Sequence, residues 1–533
     1  MSVDAISLAV FKSLYASVAE EMGVTLQRAS FSPNIKERLD YSCAVFDGQG
    51  RMVAQAAHIP VHLGSMPASV AAAVEAFDRF RPGDVVILND PYHGGTHLPD
   101  VTMVSPVFCD GQALPAFFVA SRAHHADVGG MAPGSLPLSN ELYQEGIIIP
   151  PIRLMDAGER REGVWALITA NSRAPGERLG DLEAQLAAHR VGERRMAALA
   201  ETHGLKRVVE HGDALIEYAR RTIEAAVARM PEGIYRFEDA LEDDGQGLVR
   251  VPIVVSLSVG GGRMTVDFGE SAPQVSGNLN AVPAVVRSAT GYCVHLLAQH
   301  LLGQHELPVN HGTFEPIEVV TARHSVLQPD FPAAVAAGNM ETSQRIVDVV
   351  FGALAQALPE AVPAASQGTM NNVAFGGLVE GRPFVYYETI GGGHGAGPAG
   401  DGLSGRHSHM TNTRNTPVEA LEPNLPVRVL RYGLREGSGG AGQHRGGLGI
   451  CREYAFDAAA TVTINSERRR YAPYGLQGGA PGMPGRNRVV SDGVETEVGA
   501  KATVRVQAGD RLIVETPGGG GWGRAESRTG PAE

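Results

Sequence analysis

Four side chains in the first part of the sequence have types typical of a divalent metal site. They are Asp40, His97, Asp100 and His124. Carboxylate and imidazole ligands together suit ions such as Zn²⁺, Mn²⁺ or Fe²⁺. A set of fewer than six protein ligands leaves a coordination position for water. These residues would therefore suit one divalent metal ion with a coordination position left for water.

A predicted β-hairpin would bring Asp100 and His124 together. Its arms read VTMVSPVF and LPAFFVASRA, and its turn is centred near Gly111 and Gln112. Asp100 and His124 lie about equally far from that turn, and opposite residues of an antiparallel pair have Cβ atoms ~5 Å apart. We expect the two side chains to meet at the open end of the hairpin. His97 lies in a loop containing Gly and Pro that can fold back over the same point.

An earlier predicted hairpin repeats this arrangement. The runs YSCAVF and RMVAQAA flank a turn near Gly48 and Gln49, and Asp40 and His58 lie at its open end. Each hairpin thus ends in a carboxylate and an imidazole. Aspartates beside hairpin ends also serve as simple turn caps. Spacing alone therefore leaves both metal binding and capping open.

Asp127 follows His124 by three residues and is a further candidate. It could orient a ligand imidazole, or it could act as a base on bound water. Structural capping explains its position equally well.

A second polar cluster occurs in the Gly-rich stretch ETIGGGHGAGPAGDGLSGRHSHMTNT and comprises His394, Asp401, His407 and His409. The H-S-H spacing predicts that the last two imidazoles share one face of a strand. The cluster could bind a second metal. The alternatives are substrate contacts and hydrogen-bonded loop histidines, and the sequence does not assign the roles.

Composition narrows the class of protein. The 533 residues carry a formal net charge of −13 without a basic stripe, which argues against a nucleic-acid ligand. The first residues are not a signal peptide, because acidic and basic residues interrupt the apolar run, and no stretch approaches the ~18 apolar residues of a membrane span. The four cysteines are far apart and form no CxxC pair, which favours a reduced compartment. We expect a cytoplasmic protein that does not contact membranes.

The pattern of elements predicts a mixed α+β fold, strand-rich, with β-hairpins, packed helices and Gly-rich loops. Helical segments are expected at the N-terminus and near 66–80, 175–230, 285–302 and 341–357. From about 235, strand-like runs alternate with Gly-rich turns. We therefore divide the chain into region 1–234, which holds the metal-site residues, and region 235–533.

Several well-known catalytic motifs are missing from the sequence. It contains no G-x-x-x-x-G-K-[ST] phosphate-binding loop and no G-x-S-x-G nucleophile elbow. GSGGAG at 437–442 formally fits G-x-G-x-x-G, but no helix is predicted after it and no βαβ unit surrounds it. The sequence therefore indicates neither a dinucleotide site nor an ATP site of its own.

Longer motifs across nearly the whole chain resemble the hydantoinase B family. That family includes the B subunits of ATP-dependent hydantoinases, the corresponding half of 5-oxoprolinases and the alpha subunits of acetone carboxylases. The resemblance is carried by ERLDYSCAVFDGQGRMVAQAAHIPVHLGSMP (37–67), GDVVILNDPYHGGTHLPDVTMVSPVF (83–108), SRAHHADVGG (121–130), NSRAPGERLGDLEAQ (171–185), SAPQVSGNLN (271–280), TIGGGHGAGPAGDG (389–402), GSGGAGQHRGG (437–447) and TPGGGGWG (516–523).

The resemblance implies a ligand set and a division of labour. Family members bind a divalent metal through an Asp, an H-x-x-D pair and a later His, which correspond here to Asp40, His97, Asp100 and His124. A hydantoinase A-type partner subunit binds ATP and Mg²⁺ and phosphorylates the ring carbonyl of a small cyclic amide. The metal of the B-type chain then supplies hydroxide to that carbon. The later family histidine usually precedes W-A-D, whereas here it precedes His125-Ala126-Asp127.

The resemblance thus implies an ATP-dependent cyclic amide hydrolase that works as a hetero-oligomer. One alternative is an alpha-type subunit of a ketone carboxylase, although those subunits tend to be substantially longer. Another is a non-catalytic scaffold for the ATPase partner. The identity of the ring (hydantoin, N-methylhydantoin, 5-oxoproline or a larger lactam) is left open.

Overall fold

The computed structural model describes residues 3–56, 59–109, 111–304 and 306–525 and shows a mixed α+β fold, as predicted. The helices are α1 (Ala5–Ala29), α2 (Pro33–Lys36), α3 (Met66–Glu75), α4 (Glu162–Ala170), α5 (Pro175–His203), α6 (Leu205–Val227), α7 (Pro283–Leu302), α8 (Ser343–Ala357) and α9 (Val418–Leu421). A π-helical turn, Gly338–Thr342, leads directly into α8.

The strands alternate with these helices in the first half and dominate the last third of the chain. They are β1 (Tyr41–Asp47), β2 (Met52–Ala56), β3 (Val85–Leu88), β4 (Asp100–Val107), β5 (Phe117–His124), β6 (Ile152–Asp156), β7 (Glu159–Arg160), β8 (Gly233–Asp243), β9 (Val249–Gly260), β10 (Arg263–Asp267), β11 (Ile317–Val320), β12 (Asn372–Val379), β13 (Arg382–Glu388), β14 (Val427–Arg435), β15 (Gly449–Phe456), β16 (Ala460–Asn465), β17 (Arg486–Ser491), β18 (Val494–Val498), β19 (Lys501–Val506) and β20 (Arg511–Glu515).

Both predicted hairpins and the predicted helices are confirmed. β1 pairs with β2, and β4 pairs with β5, each in antiparallel register. The helix expected at 66–80 ends earlier, at Glu75. The stretch expected to be helical at 175–230 forms α5 and α6, separated at Gly204, whose φ of +82° interrupts the helical geometry.

The two hairpins belong to one antiparallel sheet with the strand order β2-β1-β5-β4-β3-β6-β7. Alternate residues of β1 point to opposite faces. Cys43 and Val45 pack with residues of α1 and α5, whereas Ala44 and Phe46 pack with residues of α3. The sheet is therefore buried on both faces where it carries the candidate site, which gives the ends of its strands a rigid support.

A second sheet, β11-β10-β9-β8, packs against α7 and α8. The hydrophobic core around these helices also includes Val101 and Met103 of β4. Residues from both sides of position 234/235 thus share one core. The point of division itself falls within β8, directly after its second residue, and stays a prediction.

The last third of the chain forms two further sheets, β13-β12-β16-β19 and β14-β15-β20-β17-β18, joined by Gly-rich loops. Close backbone approaches explain several of these glycines. A Cβ atom on Gly393 would lie 2.0 Å from the carbonyl oxygen of Gly447, so a larger residue does not fit there. Among the described residues, no helix has the length and apolar character needed to cross a bilayer.

Candidate metal centre

Asp100 and His124 are directly opposite each other at the open end of the β4–β5 hairpin, as predicted. Asp100 Oδ1 lies 3.3 Å from His124 Nδ1 and 3.2 Å from His97 Nε2. Potential ligand atoms of the three residues all lie within 4.8 Å of one another. The side chains are nearly inaccessible, with residue exposures of 1% for His97 and Asp100 and 4% for His124. The structure thus forms a compact, buried triad that could hold a metal ion.

The loop before β4 places His97 over the hairpin end. The Asp100 N–H donates to the His97 carbonyl oxygen over 3.1 Å, which closes a tight turn. Upstream, Gly95 lies so close to the backbone that a Cβ atom would be 2.4 Å from the Asn89 carbonyl oxygen. Glycine is therefore required for the loop to fold back onto the sheet.

Hydrogen bonds from outside the triad orient two of its members. His97 Nδ1 lies 3.2 Å from the Ala336 carbonyl oxygen, to which it donates in the tautomer that leaves Nε2 free. Asp100 Oδ2 accepts hydrogen bonds from Thr96 Oγ1 at 2.8 Å and from Asn339 Nδ2 at 3.2 Å. Such partners are typical of metal-binding histidines and carboxylates.

The unsatisfied atoms of the triad fit a metal ion. His97 Nε2 and His124 Nε2 are both buried, and neither makes a well-directed hydrogen bond within the described part of the chain, although His97 Nε2 is in ion-pair distance of Asp100 Oδ1. Buried imidazole nitrogens normally find partners, so two orphaned ones beside a carboxylate need an explanation. A divalent cation bound by imidazole and carboxylate groups provides one.

The electrostatics favour an ionised carboxylate beside at least one neutral imidazole. Burial opposes charge on Asp100, but His97, His124 and His62 hold the pKa of its carboxyl group well below the usual range. Burial lowers the pKa of His124 despite the nearby carboxylates. A charged aspartate and a neutral histidine are the protonation states that metal binding requires.

Asp40 lines the same cavity but does not belong to the compact triad. Its backbone carbonyl accepts a hydrogen bond from the His124 N–H at 3.0 Å, which ties β1 to the end of β5. Arg38 Nη2 lies 4.0 Å from Asp40 Oδ2. The role of Asp40 as a fourth ligand therefore stays a prediction.

His62 is a site residue that the sequence analysis missed. It is buried, with Nε2 3.6 Å from Asp100 Oδ2 and Nδ1 3.0 Å from Ser42 Oγ. It lies in a 3₁₀ turn (Pro60–His62) that continues from the first hairpin. The H-x-x-x-H spacing of His58 and His62 was the available signal. His58 itself lies outside the described residues, so its predicted role at the hairpin end has no structural counterpart here.

The cavity around the triad is small and has a mixed lining. The ring of Tyr387 stacks on His124 with centroids 4.7 Å apart, and the Arg38 guanidinium lies 5.1 Å from the centre of the Tyr387 ring. Met340 and Met410 form part of the wall. The cavity volume is about 20 Å³, which is room for a single water molecule or ion. A ring substrate therefore requires this wall to move.

The two adjacent histidines, His124 and His125, have different surroundings. His125 Nε2 lies 3.0 Å from Gln185 Oε1 of α5, and burial lowers the pKa of His125 to about 3. It does not line the cavity that holds the triad. The geometry thus agrees with the choice of His124 as the ligand candidate.

Asp127 anchors a loop and does not contact the triad in the described structure. Its two carboxylate oxygens accept hydrogen bonds from the Gly129, Gly134 and Arg173 backbone N–H groups and from Arg173 Nη1, at 2.9–3.2 Å. With both oxygens engaged in this way, the capping interpretation describes its contacts, and nothing in them supports the base or the ligand-orienting role.

The His394–His409 stretch lies at a different cavity. His394 and His409 line a space of about 220 Å³ with Tyr292 and Phe351, whereas the triad cavity begins at the next residue, Met410. The predicted shared strand face is wrong, because 407–409 is a loop and His409 has a φ of +55°.

Two further residues of that cluster make local contacts. The His407 carbonyl oxygen lies 2.8 Å from His394 Nε2, a hydrogen bond within the loop. Asp401 is exposed and accepts a hydrogen bond from the Arg445 N–H. Among the described residues, His97, Asp100 and His124 are the only group of three or more potential ligands close enough together to hold one metal ion.

The sequence model of the hydantoinase B/oxoprolinase family matches residues 4–525. The chain belongs to this family. An uncharacterized protein of Methanocaldococcus jannaschii is 40% identical over 99% of this chain and 92% of its own length. The 5-oxoprolinase 1 of Arabidopsis thaliana is 40% identical over 98% of this chain, which spans 42% of that longer protein.

This hydantoinase B/oxoprolinase-family chain is similar in structure to a solved caprolactamase. The crystal structure of an ATP-dependent caprolactamase from Pseudomonas jessenii is similar with a TM-score of 0.90 and 31% identity. The similarity covers 98% of this chain and 92% of that one. The family membership and the mixed α+β fold inferred from the motifs are thus confirmed.

Proposed function

We propose that this chain is the metal-binding, ring-opening subunit of an ATP-dependent cyclic amide hydrolase. The observation that carries the proposal is the buried triad of His97, Asp100 and His124, in which two buried imidazole nitrogens beside a carboxylate make no hydrogen bond to the described residues. The relatives support the proposal, because the names of a 5-oxoprolinase and an ATP-dependent caprolactamase both describe enzymes that act on cyclic amides.

The chemistry requires two sites because amides are poor electrophiles. Phosphorylation of the ring carbonyl oxygen by a hydantoinase A-type partner, which binds ATP and Mg²⁺, would make the ring carbon open to attack. A divalent ion in the triad, Zn²⁺, Mn²⁺ or Fe²⁺, would lower the pKa of a bound water so that hydroxide is available near neutral pH. We therefore infer a hetero-oligomer, and we assign it to the cytoplasm.

The residues of this chain have three tasks in such a reaction. His97, Asp100 and His124 hold the ion, with Asp40 as the proposed fourth ligand. Thr96, Asn339 and the Ala336 carbonyl fix the orientation of the ligands. The buried position of the site would limit the access of bulk water to the activated ring, which would otherwise lose its phosphate and revert to the amide.

A two-substrate experiment tests this division of labour. The native ring should require both subunits and ATP, whereas a chemically activated analogue, the N-protonated O-methyl imidate of the same lactam, should require only the metal-loaded chain described here. His97→Ala should fail with both substrates, and a partner variant unable to bind ATP should fail only with the native ring. Normal cleavage of the imidate by His97→Ala would show that the triad does not supply the attacking water.

Two assays separate the alternatives. A ketone carboxylase would consume acetone and bicarbonate with ATP, and it would leave lactams intact. A non-catalytic scaffold would bind no stoichiometric metal, so metal analysis of the purified chain distinguishes it from an enzyme. We expect about one divalent ion per chain and no ATP hydrolysis by the chain alone.

A further inference from the structure

Only one of the two polar side-chain atoms of Asn339 has a hydrogen-bond partner in the described structure, although the residue is 96% buried. Its Nδ2 donates to Asp100 Oδ2 over 3.2 Å. An ionised carboxylate can only accept hydrogen bonds, so the NH₂ group must face Asp100 and the orientation of the amide is determined. The Oδ1 atom is therefore the one left over. It is buried and has no partner among the residues that the structure describes.

The backbone holds Asn339 rigidly beside the triad cavity. It lies in the π-helical turn Gly338–Thr342, a rare geometry found most often at functional sites. The Gly338 N–H donates to the Asn278 carbonyl oxygen over 3.1 Å, and Ser343 Oγ donates to the Asn339 carbonyl oxygen over 2.7 Å. A Cβ atom on Gly338 would lie 1.8 Å from the Asn280 carbonyl oxygen, so only glycine permits this approach.

A buried acceptor without a donor destabilises the folded protein unless a ligand supplies the donor. Asn339 lines the cavity of the triad, so a molecule bound next to the ion is the natural source of that donor. A cyclic secondary amide carries one N–H group on the nitrogen bonded to the carbon that is attacked, and phosphorylation of the carbonyl oxygen leaves this proton on the nitrogen, as an iminium N–H that Oδ1 can accept. No other polar atom of the ring amide can donate.

We propose that Asn339 Oδ1 accepts a hydrogen bond from the N–H of the ring amide and thereby selects secondary over N-alkylated cyclic amides. This inference rests on the proposed function and adds the class of ring that the site accepts. A site built to pair a substrate N–H rejects the analogue that lacks it, because the buried partner is then left unpaired. Asn339 thus has two roles: its Nδ2 orients the metal ligand Asp100, and its Oδ1 selects the substrate.

The wall of the cavity can make room for a ring. Met340, Met370 and Met410 all line it. Methionine side chains are unbranched and change shape at small cost. Displacement of one or more of them would enlarge the space next to Asn339 without moving the rigid backbone of the π-turn.

The test is the affinity of the metal-loaded chain for a lactam and for its N-methyl counterpart, measured by ligand-observed NMR without ATP or partner. We expect the wild type to bind the N–H ring about 10-fold more tightly, the size of one buried hydrogen bond. Asn339→Leu, which keeps the volume and removes the acceptor, should bind both rings equally.

Thr96→Val is the matched control, because it removes the other hydrogen bond to Asp100 Oδ2 without changing the acceptor in the cavity. It should weaken metal binding yet retain the preference for the N–H ring. Three outcomes would each overturn the inference. The wild type could bind both rings equally, it could bind neither ring, or the preference for the N–H ring could remain in Asn339→Leu. Complete loss of metal in Asn339→Leu, with metal still bound by Thr96→Val, would do so too, because it would indicate that Oδ1 is a metal ligand.

Failure of this inference can be told apart from failure of the proposed function. If the complete enzyme still opens lactams with ATP and still depends on His97, the function stands even when Asn339 makes no difference to ring choice. If His97→Ala retains ring opening, the function itself fails.

Discussion

His124 Nδ1 lies 3.3 Å from Asp100 Oδ1 across the last residue pair of the β4–β5 hairpin. Each residue sits on a strand whose every position is buried, so neither side chain can move far without disturbing the sheet. A pair fixed in this way offers ligand atoms at a separation that changes little between the free and the metal-bound protein. Such preorganisation is what precise metal binding needs.

The two adjacent histidines should respond differently to the same substitution. His124→Ala removes a proposed ligand and should reduce the metal content to near zero, with the fold retained. His125→Ala breaks the contact with Gln185 and should cost about 1–3 kcal/mol of stability, because a buried partner is left unpaired. Metal analysis together with thermal unfolding distinguishes the two effects. Metal loss in His125→Ala with normal metal content in His124→Ala would reverse the assignment.

Glu145 should influence metal affinity from a distance. Its Oε1 accepts hydrogen bonds from the Val335 and Ala336 N–H groups, each at 3.0 Å, and the Ala336 carbonyl oxygen orients His97. Glu145→Ala should weaken metal binding about 10-fold by releasing this segment, as is usual for outer partners of ligands. Glu145→Gln keeps the acceptor and should bind metal nearly as the wild type does. Competition with a chelator measures both affinities, and equal behaviour of the two variants would contradict the argument.

The stability of the metal-free protein should depend on pH through the same residue. Burial raises the pKa of Glu145 to about 7. Between pH 4.5 and 7 the folded state therefore holds a proton that the unfolded state releases, so the contribution of Glu145 to stability falls as pH rises through this range. Relative to Glu145→Gln, the wild type should lose about 1–3 kcal/mol between pH 5 and pH 8. Parallel melting curves of the two proteins at both pH values provide the measurement.

Substitution of His409 should leave the metal site intact. His409 lines the separate cavity of about 220 Å³ and has a φ of +55°. Both His409→Ala and His409→Gly should retain normal metal content. The glycine variant should be the more stable of the two, by about 1 kcal/mol, because alanine is strained in the left-handed region. Loss of metal in both variants would show that the two cavities form one functional unit.

Local sequence patterns were sufficient to predict the part of the site that a single hairpin builds. The pairing of Asp100 with His124 follows from their equal distance to one turn. His97 follows because its loop is only three residues from Asp100. These relationships depend on short-range geometry, which the period of a strand and the position of a turn already encode.

The rest of the site depends on long-range packing. Asn339 and Tyr387 reach the triad from the π-turn before α8 and from β13, more than 200 residues away in the chain. No periodicity in the sequence indicates which distant segment will cover a hairpin end. The same limitation explains why the prediction for His409 was wrong. Its H-S-H spacing predicted a strand, whereas His409 itself has a positive φ and lines a separate cavity.

The cavity around the triad has walls from the first hairpin region, the π-turn and the loop that contains Met410, and it has room for little more than one ion. Every residue that lines it is buried, so an ion held there would have little access to solution unless these walls move. Exchange of the metal must then wait for the protein to open, so the rate of removal by a chelator should reach a plateau as its concentration rises. The metal found in a purified sample should therefore depend mainly on which metals were present when the chain folded. The metals in the final buffer should matter less.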